Sequence, residues 1–180
     1  MPKPITILVE GASDRAAVVA LAPRFGVDLE VEQITVTSIG GAGNFGRAIA
    51  EAAASGHRVG GLYDEKEERF VADALNRQQG EDLTRQGFFA CRPDLELELV
   101  RAIGVADMMP LLDAAGELST FRNFQDQPKY RDHEPSEQLR RYIGANGARK
   151  AKFATLMGEA VAFESVPEPL EGLLNWIWSA

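Results

Sequence analysis

The chain predicts an α/β fold in which a four-stranded parallel sheet is flanked by helices and followed by an all-α C-terminal extension. Two patterns and a size argument support this. Four short apolar runs alternate with helical segments over residues 5–103, the rhythm of strand–helix–strand crossovers. Beyond residue 104 only helical signals follow, punctuated by Gly116, Pro128, Pro135, Gly144, Gly147, Pro167 and Pro169. Finally, 180 residues with 45% hydrophobic and 26% charged side chains suit one globular unit with a real core. The expected division is an α/β core at 1–104 and a helical extension at 105–180, packed as a single compact unit.

Each element follows from its residues. Ile5-Thr6-Ile7-Leu8-Val9 is β-branched and apolar and reads as a buried strand ending at Glu10-Gly11. Ser13 or Asp14 is the expected cap of the next helix, which carries Ala16, Ala17, Val19 and Ala20. Gly26 ends that unit. Ile34–Ile39 is the second strand, followed by the turn Gly40-Gly41-Ala42-Gly43-Asn44 and an alanine-rich helix over 45–54. Arg58–Tyr63 is the third strand, ending at Asp64, and a charged helix over 67–78 places Phe70, Val71, Ala74 and Leu75 at helical spacing. Gly87–Cys91 is the fourth strand, and Pro93 and Asp94 open a helix over 95–103. Five further helices are expected over 106–115, 118–124, 136–143, 148–163 and 170–178.

Charge and composition narrow the function. The chain carries a net −8, yet residues 121–152 hold eight basic and four acidic side chains and are therefore +4, leaving −12 for the rest. One part suited to a polyanion and another suited to cations is one reading; solvated helix faces are the other. No apolar run approaches the roughly 20 residues a membrane span needs. The opening Met1-Pro2-Lys3-Pro4 runs straight into a core strand, so no secretory signal is expected. A single cysteine, Cys91, excludes an internal disulfide and reads as a small core residue. His57 and His133 lie far apart in sequence, which argues against histidine-based metal or triad chemistry. A reduced, cytoplasmic protein is expected.

Acidic residues collect where a parallel sheet binds its ligands, beyond the carboxyl ends of the strands. Glu10 ends the first strand, Asp64 ends the third, and Asp94 and Glu96 follow the fourth. Carboxylates crowded on one edge repel, and a hard divalent cation relieves that repulsion. Mg²⁺ is typically held by one or two carboxylates with water and substrate phosphate. Taken singly, Asp14 and Asp94 are also simple helix caps; the three strand ends together favour metal.

These residues also resemble a family. Glu10-Gly11-Ala12-Ser13-Asp14 after a buried strand resembles the EGxxD opening of Toprim domains, the Mg²⁺-dependent catalytic modules of topoisomerases, primases and certain nucleases. Asp94-Leu95-Glu96-Leu97-Glu98-Leu99 resembles the DLE segment of nucleases of the OLD (overcoming lysogenization defect) type. Gly147-Ala148-Arg149-Lys150 is similar to the late basic motif of that group. The resemblance implies a Toprim-like Rossmannoid core and a Mg²⁺-dependent nuclease, with Mn²⁺ as an alternative ion. It implies Glu10 as metal ligand and general base, Asp14 and Asp64 as ligands, Asp94 and Glu96 at a second metal, and Lys150 as the cation acting on phosphate. Arg149, Lys150 and Lys152 would contact nucleic acid, with DNA the expected form. The chain lacks GxxxxGK[ST], so a stand-alone form is expected, with a separate ATPase or a second copy as partner.

One departure stands out. Glu65 and Lys66 follow Asp64, so the second acid of the family's DxD is missing, and Glu65, Glu67 or Glu68 would have to replace it. A catalytically impaired binding module in a defence or repair assembly is therefore the alternative. A third reading comes from Gly41-Ala42-Gly43-Asn44-Phe45-Gly46, which fits GxGxxG between a strand and a helix. Only one strand follows Asp64, so the second half of a dinucleotide fold is missing, and a tight turn is the simpler account. Phe121, Phe124 and Tyr130 among the basic residues suit helix packing better than base stacking. Trp176, Ile177 and Trp178 suit docking on the core or a partner surface.

Overall fold

The computed structural model describes residues 3–179. Its sheet contains β1 (Ile5–Val9), β2 (Ile34–Ser38), β3 (Arg58–Asp64) and β4 (Phe88–Cys91), all parallel, in the order β2-β1-β3-β4. Every residue of β1 is buried, as expected of a central parallel strand covered on both faces. Register brings the carboxyl ends level: Val9 pairs with Ser38, Leu8 with Gly61, and Asp64 with Cys91.

Alternation along the strands separates two cores. Ile5, Ile7, Val9 and Leu62 face a large apolar cluster shared with α1 (Ala12–Leu21), α4 (Leu95–Ile103) and the later helices. Leu8, Tyr63 and Phe88 face a smaller cluster with α2 (Phe45–Ala54) and α3 (Glu68–Ala74). The later helices are α5 (Val105–Ala114), α6 (Leu118–Gln125), α7 (Pro135–Gly144), α8 (Gly147–Ala160) and α9 (Glu168–Trp178). They all add to the first face, and Phe121, Leu139, Tyr142, Phe153 and Leu173 are fully buried there.

Several boundaries differ from the sequence expectation, each for a local reason. The cap of α1 is Gly11, and Ser13 and Asp14 lie inside the first turn, where the Asp14 carboxylate accepts from the Gly11 amide at 2.8 Å. That is the reciprocal half of a capping box, delivered by the third helical residue. The helix expected over 67–78 begins as a 3₁₀ turn at Glu65–Glu67 and ends as α-helix at Ala74, with Asn76 in the left-handed region at φ 53°. The helix expected over 148–163 stops at Ala160, and Phe163–Ser165 forms a separate 3₁₀ turn. Asp94 does cap α4, accepting from the Leu97 amide at 3.0 Å. Trp176 lies over β3 and β4, where a Cβ on Gly60 would meet its ring at 2.7 Å, while Ile177 is buried and Trp178 is exposed.

Candidate functional site

The site is assembled at the carboxyl edge of the sheet. Glu10 leaves β1 and its carbonyl accepts from the Gly40 and Gly41 amides at 3.1 and 3.3 Å. The glycine-rich turn thus spends those amides on closing the β1–β2 edge, and Gly40 and Gly41 take the positive φ values this requires, 71° and 121°. The turn therefore behaves as a tight structural connection. Asp64 is the last residue of β3, and Glu10, Asp14 and Asp64 line one narrow crevice beside the buried Cys91.

Glu96 enters from the first turn of α4 and is only 5% exposed. Its Oε1 lies 3.2 Å from the Lys150 ammonium, an ion pair lacking hydrogen-bond geometry, so this buried oxygen accepts no hydrogen bond. Lys150 sits in the first turn of α8. That helix packs along α1, with Gly158 against Ala17 and Ala20, which brings its N-terminal turn to the carboxylate edge.

Electrostatics follow from burial and crowding. Burial, then the charges of Asp14, Glu96 and Asp94, push the Asp64 carboxyl up to about 7. Glu10 is raised by burial and by Glu67. Asp14 is raised chiefly by burial, against the pull of the Gly11 amide, and Glu96 is raised by burial although Lys150 opposes it. Burial works to lower the Lys150 ammonium, but Glu96, Asp14 and Asp64 prevail and raise it. Burial is the first cause for all four acids, and neighbouring carboxylates add to it.

The other expected residues fall into place differently. Asp94 has both oxygens engaged: Oδ1 caps α4, and Oδ2 alone takes Arg140, accepting from its Nε at 2.6 Å and pairing with its Nη2 as well. Asp94 is thus held as a cap and ion-pair partner. Arg149 does not join Lys150 at the edge. Its guanidinium pairs with Glu117 at 3.1 Å, donates to the Tyr142 carbonyl at 3.0 Å and lies over the Tyr142 ring. Lys152 donates to the Ala115 carbonyl at 3.0 Å. Helical geometry explains the split, because consecutive residues point about 100° apart and only Lys150 of the three faces the carboxylate edge.

Sequence reasoning did not single out Arg140, Arg141 or Lys66 as site residues. All three line a cleft of about 550 Å³ with Asp64, Glu96 and Lys150. The signal for Arg140 was its place in the +4 segment; its partner Asp94 was not foreseeable from spacing. Tyr130, at the same cleft, stacks on Phe124 with centroids 4.0 Å apart, while Phe121 is core. His57 bonds to the Thr6 hydroxyl at 2.8 Å, a structural role.

The donor set is all hard oxygen, as a Mg²⁺ site requires, and the buried Glu96 Oε1, held by the Lys150 charge without a hydrogen bond, is a candidate ligand. Among the described residues no group of three or more acidic, histidine or cysteine side chains is placed to hold a metal ion together. An ion here would be held by one or two carboxylates with water in the remaining positions.

Comparison with known proteins matches this geometry to a family. The family model described as "Overcoming lysogenization defect protein-like, TOPRIM domain" matches residues 5–65, which hold Glu10, Asp14 and Asp64. No curated protein matches the chain. Among solved structures, the chain is similar to the C-terminal region of the Burkholderia pseudomallei OLD protein, with a TM-score of 0.70 and 20% identity over 97% of each chain. It is also similar to the C-terminal region of the Xanthomonas campestris pv. campestris OLD protein, with a TM-score of 0.69 and 22% identity over 98% of this chain and 95% of that one. Residues 5–65 thus match the model of an OLD-like Toprim domain, and the chain is folded along nearly its whole length like the C-terminal regions of OLD proteins.

Proposed function

We propose that this protein is a divalent-metal-dependent phosphodiesterase acting on nucleic acid, with Mg²⁺ or Mn²⁺ at the carboxylate edge. The observation that carries this is the group Glu10, Asp14, Asp64 and Glu96, all raised chiefly by burial: Asp64 and Glu96 open to a cleft lined by Lys66, Arg140, Arg141 and Lys150, and Glu10 and Asp14 line a crevice shared with Asp64. An acidic floor beneath basic walls suits a cation below a phosphate. The structures named for OLD proteins share the fold, which supports the reading at that level.

Asp64 and Glu96 are the first choices for holding the ion, with Asp14 and Glu10 reaching it directly or through water. Bound there, the ion supplies Lewis-acid polarisation of a phosphate oxygen and eases ionisation of a water molecule. Glu10, partly open to solvent and raised from its ordinary value, is suited to accept that water's proton. The water oxygen bonds to phosphorus as the ester P–O bond breaks, and solvent protonates the departing alkoxide. Lys150 stays cationic at neutral pH and holds the negative charge that builds on the phosphate. Arg140 and Arg141 lie along the cleft wall, where they can grip flanking phosphates; Glu137 bonds to both and sets their orientation.

Glu67 is the best replacement for the missing second acid of DxD. It is the charge that most raises Glu10, and its ion pair to Lys66 is long at 3.7 Å, whereas Glu65 pairs with Arg92 at 3.4 Å and Glu68 accepts from the Gly80 amide at 2.8 Å. Nicking of supercoiled plasmid with Mg²⁺ or Mn²⁺ tests the proposal. Wild type should nick only with metal, and Glu10→Gln should be at least about a hundredfold slower, the usual worth of a general base. Metal-independent nicking, or equal rates, contradicts it. Binding without nicking by wild type would instead favour the non-catalytic binding module that Lys66, in place of an acid, also suits.

A further inference from the structure

We propose that Lys66 is a built-in cation in one half of the carboxylate edge, so that the site takes a single divalent ion. This rests on the metal reading above and fixes how many ions that site holds. The Lys66 ammonium stands 3.9 Å from Asp64 Oδ2 and 3.7 Å from Glu67 Oε1, bridging the end of β3 and the turn that follows it. A second metal there would have to displace the lysine or sit beside it.

Six carboxylates stand along this edge: Glu10, Asp14, Asp64, Glu67, Asp94 and Glu96. Three cations face them, as Arg140 takes Asp94, Lys150 takes Glu96, and Lys66 bridges Asp64 and Glu67. Three negative charges remain, so one divalent ion leaves −1 and two would leave +1, the second with an ammonium still standing among its ligands. The inner half is where the one ion belongs. Asp14 and Glu96 are buried there, and the Glu96 Oε1 accepts no hydrogen bond. Lys66 and a divalent ion repel at such range, so cation and lysine divide the edge between them, the ion on the buried side and the lysine on the solvent side.

The Lys66 side chain is 70% exposed, so it can be replaced without disturbing the core. Bound Mn²⁺ per chain, counted by equilibrium dialysis with electron paramagnetic resonance of the free ion, tests the assignment. Wild type and Lys66→Arg should each bind one. Lys66→Asp should bind two, the second at least tenfold tighter than any second ion on wild type. Two ions on wild type, or one on a Lys66→Asp protein whose circular dichroism is native, overturns the proposal. No Mn²⁺ on wild type overturns the metal reading itself, an outcome separate from a wrong ion count.

Discussion

At the scale of single residues, Asp64 governs the site's response to pH. Its carboxyl is pushed up to about 7, first by burial and then by the acids around it. Between about pH 4 and 7 the folded chain holds a proton there that the unfolded chain releases. Without metal, stability therefore falls as pH rises through that window, since the unfolded state binds fewer protons. Metal must displace the same proton, so its affinity rises with pH over the same range. Melting temperatures at pH 5 to 8, with and without Mg²⁺, check both signs. The metal-free curve should decline toward pH 8, the Mg²⁺-induced rise should be largest there, and Asp64→Asn should flatten both. A Mg²⁺ effect that is equal at pH 5 and pH 8 contradicts the assignment. Lys150 and Arg149 give the complementary lesson. They are adjacent in sequence, and a helix turns one toward Glu96 and the other toward Glu117. Much of the +4 segment is likewise committed internally, with Arg140 and Arg141 both on Glu137 and Arg140 also on Asp94.

At the scale of elements, the placing of Lys150 beside Glu96 depends on helix α8 lying close against α1. Gly158 makes that approach possible: a Cβ there would stand 3.1 Å from the Ala20 Cβ and 3.3 Å from the Ala17 carbonyl oxygen. The Arg24 guanidinium clamps the same point by donating to the Gly158 carbonyl at 2.8 Å. Gly158→Leu should cost about 1–3 kcal/mol by overpacking. It should also withdraw Lys150 from Glu96 and weaken divalent-ion-dependent activity more than its melting temperature alone explains. Calorimetry paired with a nicking rate measured well below the melting point checks this, and an activity loss no greater than the loss of folded protein contradicts it. Strand positions and the edge carrying Glu10, Asp64 and Glu96 were legible in the sequence, because parallel strands advertise themselves as apolar runs and their ends are marked by polar residues. The ends of α1, α3 and α8 were not, because caps such as Gly11 and turns such as Asn76 are decided by backbone conformation that side-chain pattern does not encode. Nor was the Asp94–Arg140 pair, which joins residues far apart in sequence through the packing of α4 on α7.

At the scale of the whole molecule, the sheet gathers acids from three separated segments, and the C-terminal helices complete the cleft with bases from a fourth. A net charge of −8 gives no general attraction to nucleic acid, so any binding is local to this cleft. Binding should accordingly require a divalent ion and weaken with salt, as each neutralised phosphate releases counterions. No helix among the described residues is long and apolar enough to cross a membrane. The central claim is that this one edge holds a metal that cleaves phosphodiesters. Single-turnover cleavage of an end-labelled DNA duplex, followed against Mn²⁺ concentration for wild type and Asp64→Asn, tests it most directly. The account predicts a saturable Mn²⁺ dependence in wild type and, in the mutant, a rate reduced at least about a hundredfold with half-saturation moved to higher Mn²⁺. Equal rates and equal Mn²⁺ dependence in the two proteins would contradict it.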